Sequence, residues 1–99
     1  MLKLDDFTQY IEQNFSIEAD DQTRLDARLI EAKDLGRDDR EHVYEQTRRP
    51  FSLLLKTDKS VFLQQKLYKI SHQEMGEFGL FLVPIYDEPD GYVYEAMFN

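Results

Sequence analysis

The sequence predicts a mainly β fold of six antiparallel strands, arranged as a small barrel or a sandwich, with one N-terminal helix. Three observations lead to this prediction. Apolar residues recur at every second position over much of the chain, turn-forming segments separate these stretches, and helical spacing is confined to the beginning of the chain.

The C-terminal segment has the strongest strand pattern. Residues 78–85 are apolar on both faces, and residues 92–98 alternate beside them. The Asp90-Gly91 pair between them is typical of tight hairpin turns, in which it supplies positive φ angles. Because so apolar a segment is unfavourable in water, we expect both strands to lie in the core.

The N-terminal segment predicts a short helix. Leu4, Phe7, Tyr10 and Ile11 lie at helical spacing, and acidic residues stand where a cap and a first helical turn would favour them. Asn14 is the expected end of this helix. We expect its apolar stripe to pack on the sheet as a lid.

The period then changes to two and predicts the first hairpin. Strands over residues 15–19 and 25–32 are joined by a turn at residues 20–22. The alternation shifts phase at Leu29-Ile30. A β-bulge would accommodate this shift by adding one residue, and the curvature of a small barrel would have the same effect.

Residues 36–49 form the clearest interruption, because eight of these fourteen residues are charged. We expect a charged loop, and loops of this length are usually functional or mobile. Pro50 then fits the first position of a third strand, where its missing N–H costs least.

The second half of the chain predicts the remaining strands. The third covers residues 51–55, and an irregular apolar segment follows at residues 61–63. The fourth covers residues 67–72, with Tyr68, Ile70 and His72 on one face. A turn at residues 74–77 leads into the C-terminal pair.

Length and composition restrict the class of protein. The 99 residues suit a single domain spanning residues 1–99, with 20 acidic and 12 basic side chains and a net charge of −8. Phosphate backbones and anionic membranes repel such a chain, so we expect neither nucleic acid nor a membrane as its partner. With no cysteine and no apolar leader, a cytoplasmic location is the expectation.

The sequence lacks the usual patterns of metal sites and of catalysis. His42 and His72 stand thirty residues apart without ligand spacing, and no serine lies in a nucleophile elbow. The acids of residues 87–91 fit turn chemistry better than a calcium loop. We therefore expect no metal, no cofactor and no enzymatic activity.

Several motifs in the second half resemble a family of small uncharacterised bacterial proteins of about one hundred residues. They are Pro-Phe-Ser-Leu-Leu at residues 50–54, a Tyr…His…Gly segment at residues 68–76, Leu-Phe-Leu-Val-Pro at residues 80–84, and Tyr-Glu-Ala-Met-Phe-Asn at residues 94–99. Lys66 departs from this pattern, which has glycine there. The resemblance implies a shared fold without an established activity, and a gene context near phage tail-collar-like genes.

The most site-like residues are aromatic and basic. Tyr44, Arg48 and Arg49 lie in the charged loop, and Tyr86 and Tyr92 flank the last turn. Arginine and tyrosine are common anchors of protein interfaces. These five residues are therefore the predicted partner-binding site.

The favoured function is a non-catalytic protein-interaction or assembly module, linked through the resemblance to a phage-tail-like structure. A homo-oligomer is compatible with the same surface. Two alternatives stay open on the sequence: a small β-barrel that binds an apolar or aromatic ligand, and a hydrolase with an unrecognised carboxylate site.

Replacing Arg48 and Arg49 together with alanine should weaken capture of a protein partner and leave the melting temperature nearly unchanged. Both side chains are predicted to lie in a solvated loop, where substitutions have little effect on stability. Pull-down and thermal unfolding check this, and unchanged capture would contradict the assignment of the loop.

Overall fold

The computed structural model describes residues 2–36 and 50–98. The strands form a closed antiparallel barrel in the order β1-β2-β3-β6-β5-β4, so the mainly β prediction is confirmed and the barrel is the arrangement adopted. In the described residues, no helix has the length and hydropathy to cross a membrane. The elements are α1 (Leu4–Thr8), β1 (Asn14–Asp20), β2 (Thr23–Asp34), β3 (Phe51–Thr57), β4 (Lys66–His72), β5 (Gly76–Glu88) and β6 (Gly91–Phe98).

Three tight hairpins and three longer-range pairings close the barrel. The hairpins are β1–β2, β4–β5 and β5–β6, while β3 pairs with both β2 and β6. Ser16, Ile17 and Glu18 of β1 then pair with residues 69–71 of β4. Among the described residues, each strand therefore has a hydrogen-bonded neighbour on both sides over at least part of its length.

Phe7 of α1 closes one end of the barrel. Its side chain is 1% exposed, and its ring centroid lies 5.8–6.4 Å from those of four other phenylalanines. These are Phe15 of β1, Phe51 of β3, Phe78 of β5 and Phe98 of β6. One helical side chain therefore contacts four of the six strands, which confirms that the helix packs on the sheet as a lid.

The irregular segment between β3 and β4 packs against the interior through a buried hydrogen bond. The N–H of Leu63 donates to the hydroxyl oxygen of Tyr94 at 2.9 Å, and the Tyr68 hydroxyl donates to the carbonyl of Gln64 at 2.6 Å. Burial raises the pKa of the Tyr94 phenol above its usual value. The predicted apolar segment at residues 61–63 is confirmed.

The helix is shorter than its apolar spacing predicts, because it ends at Thr8 and not near Asn14. The residues that follow bond to β2 instead of continuing the helix. The N–H of Glu12 donates to the carbonyl of Leu29 at 2.7 Å, and the N–H of Leu29 donates to the carbonyl of Gln13 at 3.0 Å. Glu12 adopts a φ of 73° to make this turn, so pairing with the sheet overrides local helical spacing.

The phase shift in β2 is a β-bulge, as predicted. The register with β3 shifts between Leu29 and Glu31, which leaves Ile30 as the extra residue. Beyond the bulge, Ala32 pairs with the buried Leu53 and lies on the inner face. The extra residue thus keeps both apolar sets of this strand directed inward.

The last turn forms where predicted, but the predicted reason for its glycine is wrong. Neither Asp90 nor Gly91 has a positive φ, and Gly91 already pairs with Glu88 in the ladder. A Cβ atom on Gly91 would lie 2.1 Å from the carbonyl oxygen of Thr57. Glycine is required here because the backbones of β3 and β6 approach closely, and not because of the turn conformation.

Gly91→Ala should destabilise the barrel by about 2 kcal/mol or more, since the added methyl group overlaps a backbone carbonyl that has little freedom to move. Gly79→Ala is the matched control. Its Cβ would meet the Leu67 side chain at 3.5 Å and the Tyr68 carbonyl oxygen at 3.8 Å, both ordinary contacts, and we expect a change in stability within about 1 kcal/mol. Urea unfolding measures both, and equal losses would contradict the close-approach argument.

Candidate functional site

The outer surface of the barrel is divided into a charged half and an apolar half. Over β1 and β2 the outward residues are polar or charged, and ion pairs join Glu18 to Arg24 and Glu12 to Arg28. Over the opposite strands several of them are apolar, although charged residues such as Lys69 and Glu77 also lie there. We call this second half the apolar face, and its members are Leu54 of β3, Leu67 of β4, Phe81 and Val83 of β5, and Met97 of β6.

Three members of the apolar face are strongly exposed. Leu67 is 66% exposed, Met97 is 54% exposed and Phe81 is 48% exposed. Leu67 and Phe81 lie directly opposite each other across the β4–β5 ladder. Cross-strand neighbours on one face stand close enough for their side chains to touch, so the pair forms a continuous apolar surface.

This surface arises because β5 is apolar on both sides. Leu80 and Leu82 point inward and are buried, while Phe81 between them points outward. The expectation that residues 78–85 lie wholly in the core is therefore half wrong. A barrel is a single layer, and a strand within it has one face toward the core and one toward the outside.

Two grooves mark the outer surface. One, of about 520 Å³, lies away from the apolar face. The other, of about 280 Å³, adjoins the apolar face at Leu67. This second groove runs beside Gly79, which has no side chain to fill the space next to Leu67. An ion pair between Lys69 and Glu77, 3.3 Å apart, borders it. The groove offers room for an apolar side chain of a partner.

Glu95 interrupts the apolar face on β6. It pairs with Val83 of β5 on one side and with Leu54 of β3 on the other. Met97 follows two positions along the same strand and points the same way. Glu95 is a partly buried residue, and its cross-strand neighbours Val83 and Leu54 are apolar.

The structure separates the predicted partner-binding residues. Tyr86 is 58% exposed and pairs with Val93 on the outer surface of β5 and β6. Tyr92 packs at the end of the barrel, where its ring lies 5.1 Å from that of Phe62 and 4.4 Å from the Lys59 ammonium. The other three predicted residues, Tyr44, Arg48 and Arg49, lie outside the described residues. Their role stays a prediction.

The acids of the last hairpin are engaged in ion pairs. Lys59 binds Asp87, and the ammonium of Lys56 lies 2.9 Å from carboxylate oxygens of both Glu88 and Asp90. Glu88 and then Asp90 raise the pKa of Lys56, and the same contact lowers the pKa of Asp90. In the part of the chain that the structure describes, no three acidic or histidine side chains gather as a metal site.

His72 is a structural residue with both ring nitrogens occupied. Its side chain is 6% exposed, and Nε2 lies 2.8 Å from Oε1 of Gln13. Nδ1 accepts the backbone N–H of Glu74 at 3.1 Å, so Nε2 carries the proton and donates it to Gln13. The predicted hydrogen bonding at the strand end is confirmed. An open cleft of about 520 Å³ lies beside His72 and is lined by Gln13 as well.

Tyr10 also contributes to this end of the barrel. Its ring centroid lies 4.4 Å from that of His72. A hydrogen bond to Glu74 raises the pKa of the Tyr10 phenol above its usual value, because the phenolate would stand beside a carboxylate. These contacts hold the turn after β4 against the segment after α1.

The sequence held one signal of the apolar face. The outward residues of β5 broke the expected alternation of apolar and polar positions, and that pattern was interpreted as burial on both sides. Leu67 and Met97 carried no such signal, since single apolar residues at strand positions are ordinary. The spatial grouping of the three exposed residues follows from the strand order.

Comparison with known proteins identifies a family and no function. Residues 2–98 match the model of a family described as Domain of unknown function (DUF6916). The match agrees with the expected small domain of about one hundred residues without an assigned activity, and it extends over both halves of the chain. Neither the curated proteins nor the solved structures contain a match to this sequence.

His72→Ala should destabilise the domain by about 2–4 kcal/mol, because it removes a buried ring and leaves the part-buried N–H of Glu74 and amide oxygen of Gln13 without this partner. Urea unfolding measures the loss, with Glu77→Gln as the control on a neighbouring exposed position. A variant as stable as the wild type would contradict the structural role and return His72 to the candidates for catalysis.

Proposed function

We propose that this chain, which belongs to the family described as Domain of unknown function (DUF6916), is a non-catalytic module that binds another protein through its apolar face. One observation carries the proposal: Leu67, Phe81 and Met97 are each about half exposed or more, on regular strands of one side of the barrel. Soluble monomers rarely expose contiguous apolar surface, and where they do, it commonly marks an interaction site.

The closed barrel favours docking on this face over strand addition. Every strand has hydrogen-bonded neighbours on both sides. Recognition by adding a strand needs an exposed sheet edge. A partner is therefore expected to contact side chains, with the exposed leucine, phenylalanine and methionine as its main apolar contacts.

The packing of the interior supports a protein partner over a ligand held inside the barrel. Phe7, Phe15, Phe51 and Tyr94 are among the largest side chains, and each is at most 2% exposed within the core. A barrel of this small size is generally filled by its own side chains. The occupied nitrogens of His72 likewise support a non-catalytic role over a hydrolase.

The resemblance to proteins encoded near tail-collar-like genes suggests which partners to test first. We propose a structural protein of a phage-tail-like assembly, met in the cytoplasm during its construction. The net charge of −8 supports a protein partner over nucleic acid or an anionic membrane. Homo-oligomers through the same face are the other arrangement to be tested.

The double substitution Leu67→Thr and Phe81→Thr should abolish capture of the partner. It removes two exposed apolar contacts while keeping side chains that favour strands, so stability should change by no more than about 1 kcal/mol. Tagged protein is mixed with extracts of the native host, and stoichiometric co-eluting proteins are identified by mass spectrometry.

The matched control places a double substitution on the charged half of the barrel. Glu18→Gln with Arg24→Gln removes an exposed ion pair and should leave capture unchanged. Urea unfolding of all three proteins separates binding from folding. Capture that survives the threonine substitutions, or that is lost in the control, would contradict the assignment of the apolar face.

A further inference from the structure

We infer that the partner presents a lysine or arginine flanked by apolar side chains, and that this cation pairs with Glu95. The inference rests on the proposed function of the apolar face. Glu95 pairs with Val83 and Leu54 in the ladders, so its carboxylate lies inside the face and not at its margin. A partner that covers the apolar residues must therefore also cover this charge.

Glu95 differs from the comparable carboxylates of the described residues in having no partner. Within residues 2–36 and 50–98, four acidic residues are partly buried. Asp6 accepts the N–H of Lys3 at 2.8 Å, and Glu18 and Glu88 form ion pairs with Arg24 and Lys56. The described residues provide neither a hydrogen bond nor an ion pair for Glu95.

An unpaired carboxylate sets a requirement on whatever covers it. Taking a charge out of water without a partner costs free energy, and an opposite charge with hydrogen-bond donors offsets this cost. An apolar partner surface would bury Glu95 uncompensated. A partner segment with a cationic side chain between apolar ones would pair with Glu95 and cover the apolar residues as well.

The groove beside Gly79 supplies the second contact. Leu67, Tyr68 and Phe78 line it together with the charged Lys69 and Glu77, and glycine leaves it unfilled although an alanine Cβ would meet only ordinary contacts there. The fold therefore does not require glycine at this position on steric grounds. We assign the groove to an apolar side chain of the same partner segment.

Charge disfavours a second copy of this chain as the occupant. Each copy carries a net charge of −8, so two copies repel each other as they approach. An isologous contact would also place two Glu95 carboxylates within one interface, where each needs a cation. A segment from a different, basic protein has the complementary charge.

Selection from a random peptide library tests the inference with a defined probe. The wild type, Glu95→Lys and the Leu67→Thr/Phe81→Thr variant are immobilised as folded full chains. The wild type is expected to enrich peptides with lysine or arginine between apolar residues. Glu95→Lys is expected to enrich aspartate or glutamate at the same position instead.

One peptide selected by the wild type is then labelled, and its affinity is measured to find how much Glu95 contributes to binding. Glu95→Gln should weaken the affinity for this peptide by roughly five- to tenfold, and this difference in affinity should shrink as the salt concentration is raised. Replacing the peptide's basic residue with glutamine should weaken binding to the wild type similarly, and should have little further effect on Glu95→Gln. Gly79→Ala should weaken it by filling the groove.

The outcomes separate this inference from the proposed function. Enriched apolar peptides without a basic preference, or the same peptides selected by Glu95→Lys, would overturn the inference and leave the apolar face standing. Peptides that bind the Leu67→Thr/Phe81→Thr variant equally well would overturn the proposed function itself. A concentration-dependent dimer of the wild type that Phe81→Thr dissolves would overturn the inference in favour of a second copy.

Discussion

The barrel depends on the contact of one helical side chain with four of its strands. Phe7 lies 5.8–6.4 Å, ring to ring, from phenylalanines of β1, β3, β5 and β6. These strands are far apart in sequence, and their pairing closes long loops at an entropic cost. The aromatic cluster offsets part of this cost where the barrel would otherwise be open to water, since buried aromatic rings stabilise by both area and geometry.

Closure of the barrel also determines where a partner can bind. Each described strand is hydrogen-bonded on both sides over at least part of its length, which disfavours recognition by strand addition. Recognition then depends on the outward side chains, and exposed apolar ones occur on β4, β5 and β6. The same β5 residues that alternate with the core leucines therefore form the surface that we assign to binding.

Several polar groups of the described residues are paired with one another, and Glu95 is a departure from this pattern. His72 uses both ring nitrogens, the last hairpin pairs its acids with Lys56 and Lys59, and most half-buried carboxylates have a donor. Polar groups that are removed from water need hydrogen-bond partners if the fold is to be stable. Glu95, half-buried and without a partner in the described chain, is the departure, and departures of this kind are commonly found where function is served.

The sequence by itself determined the class of fold, because strand periodicity, turn residues and the bulge at Ile30 are local consequences of side-chain alternation. It also determined that His72 would be held at a strand end. It predicted too long a helix and the wrong reason for Gly91, since pairing with β2 and the approach of β3 depend on residues distant in the chain. The tertiary structure alone decided which side of β5 faces solvent and which acid lies within the apolar face. Alternation specifies two sides of a strand, but only closure of the barrel decides which side is inside.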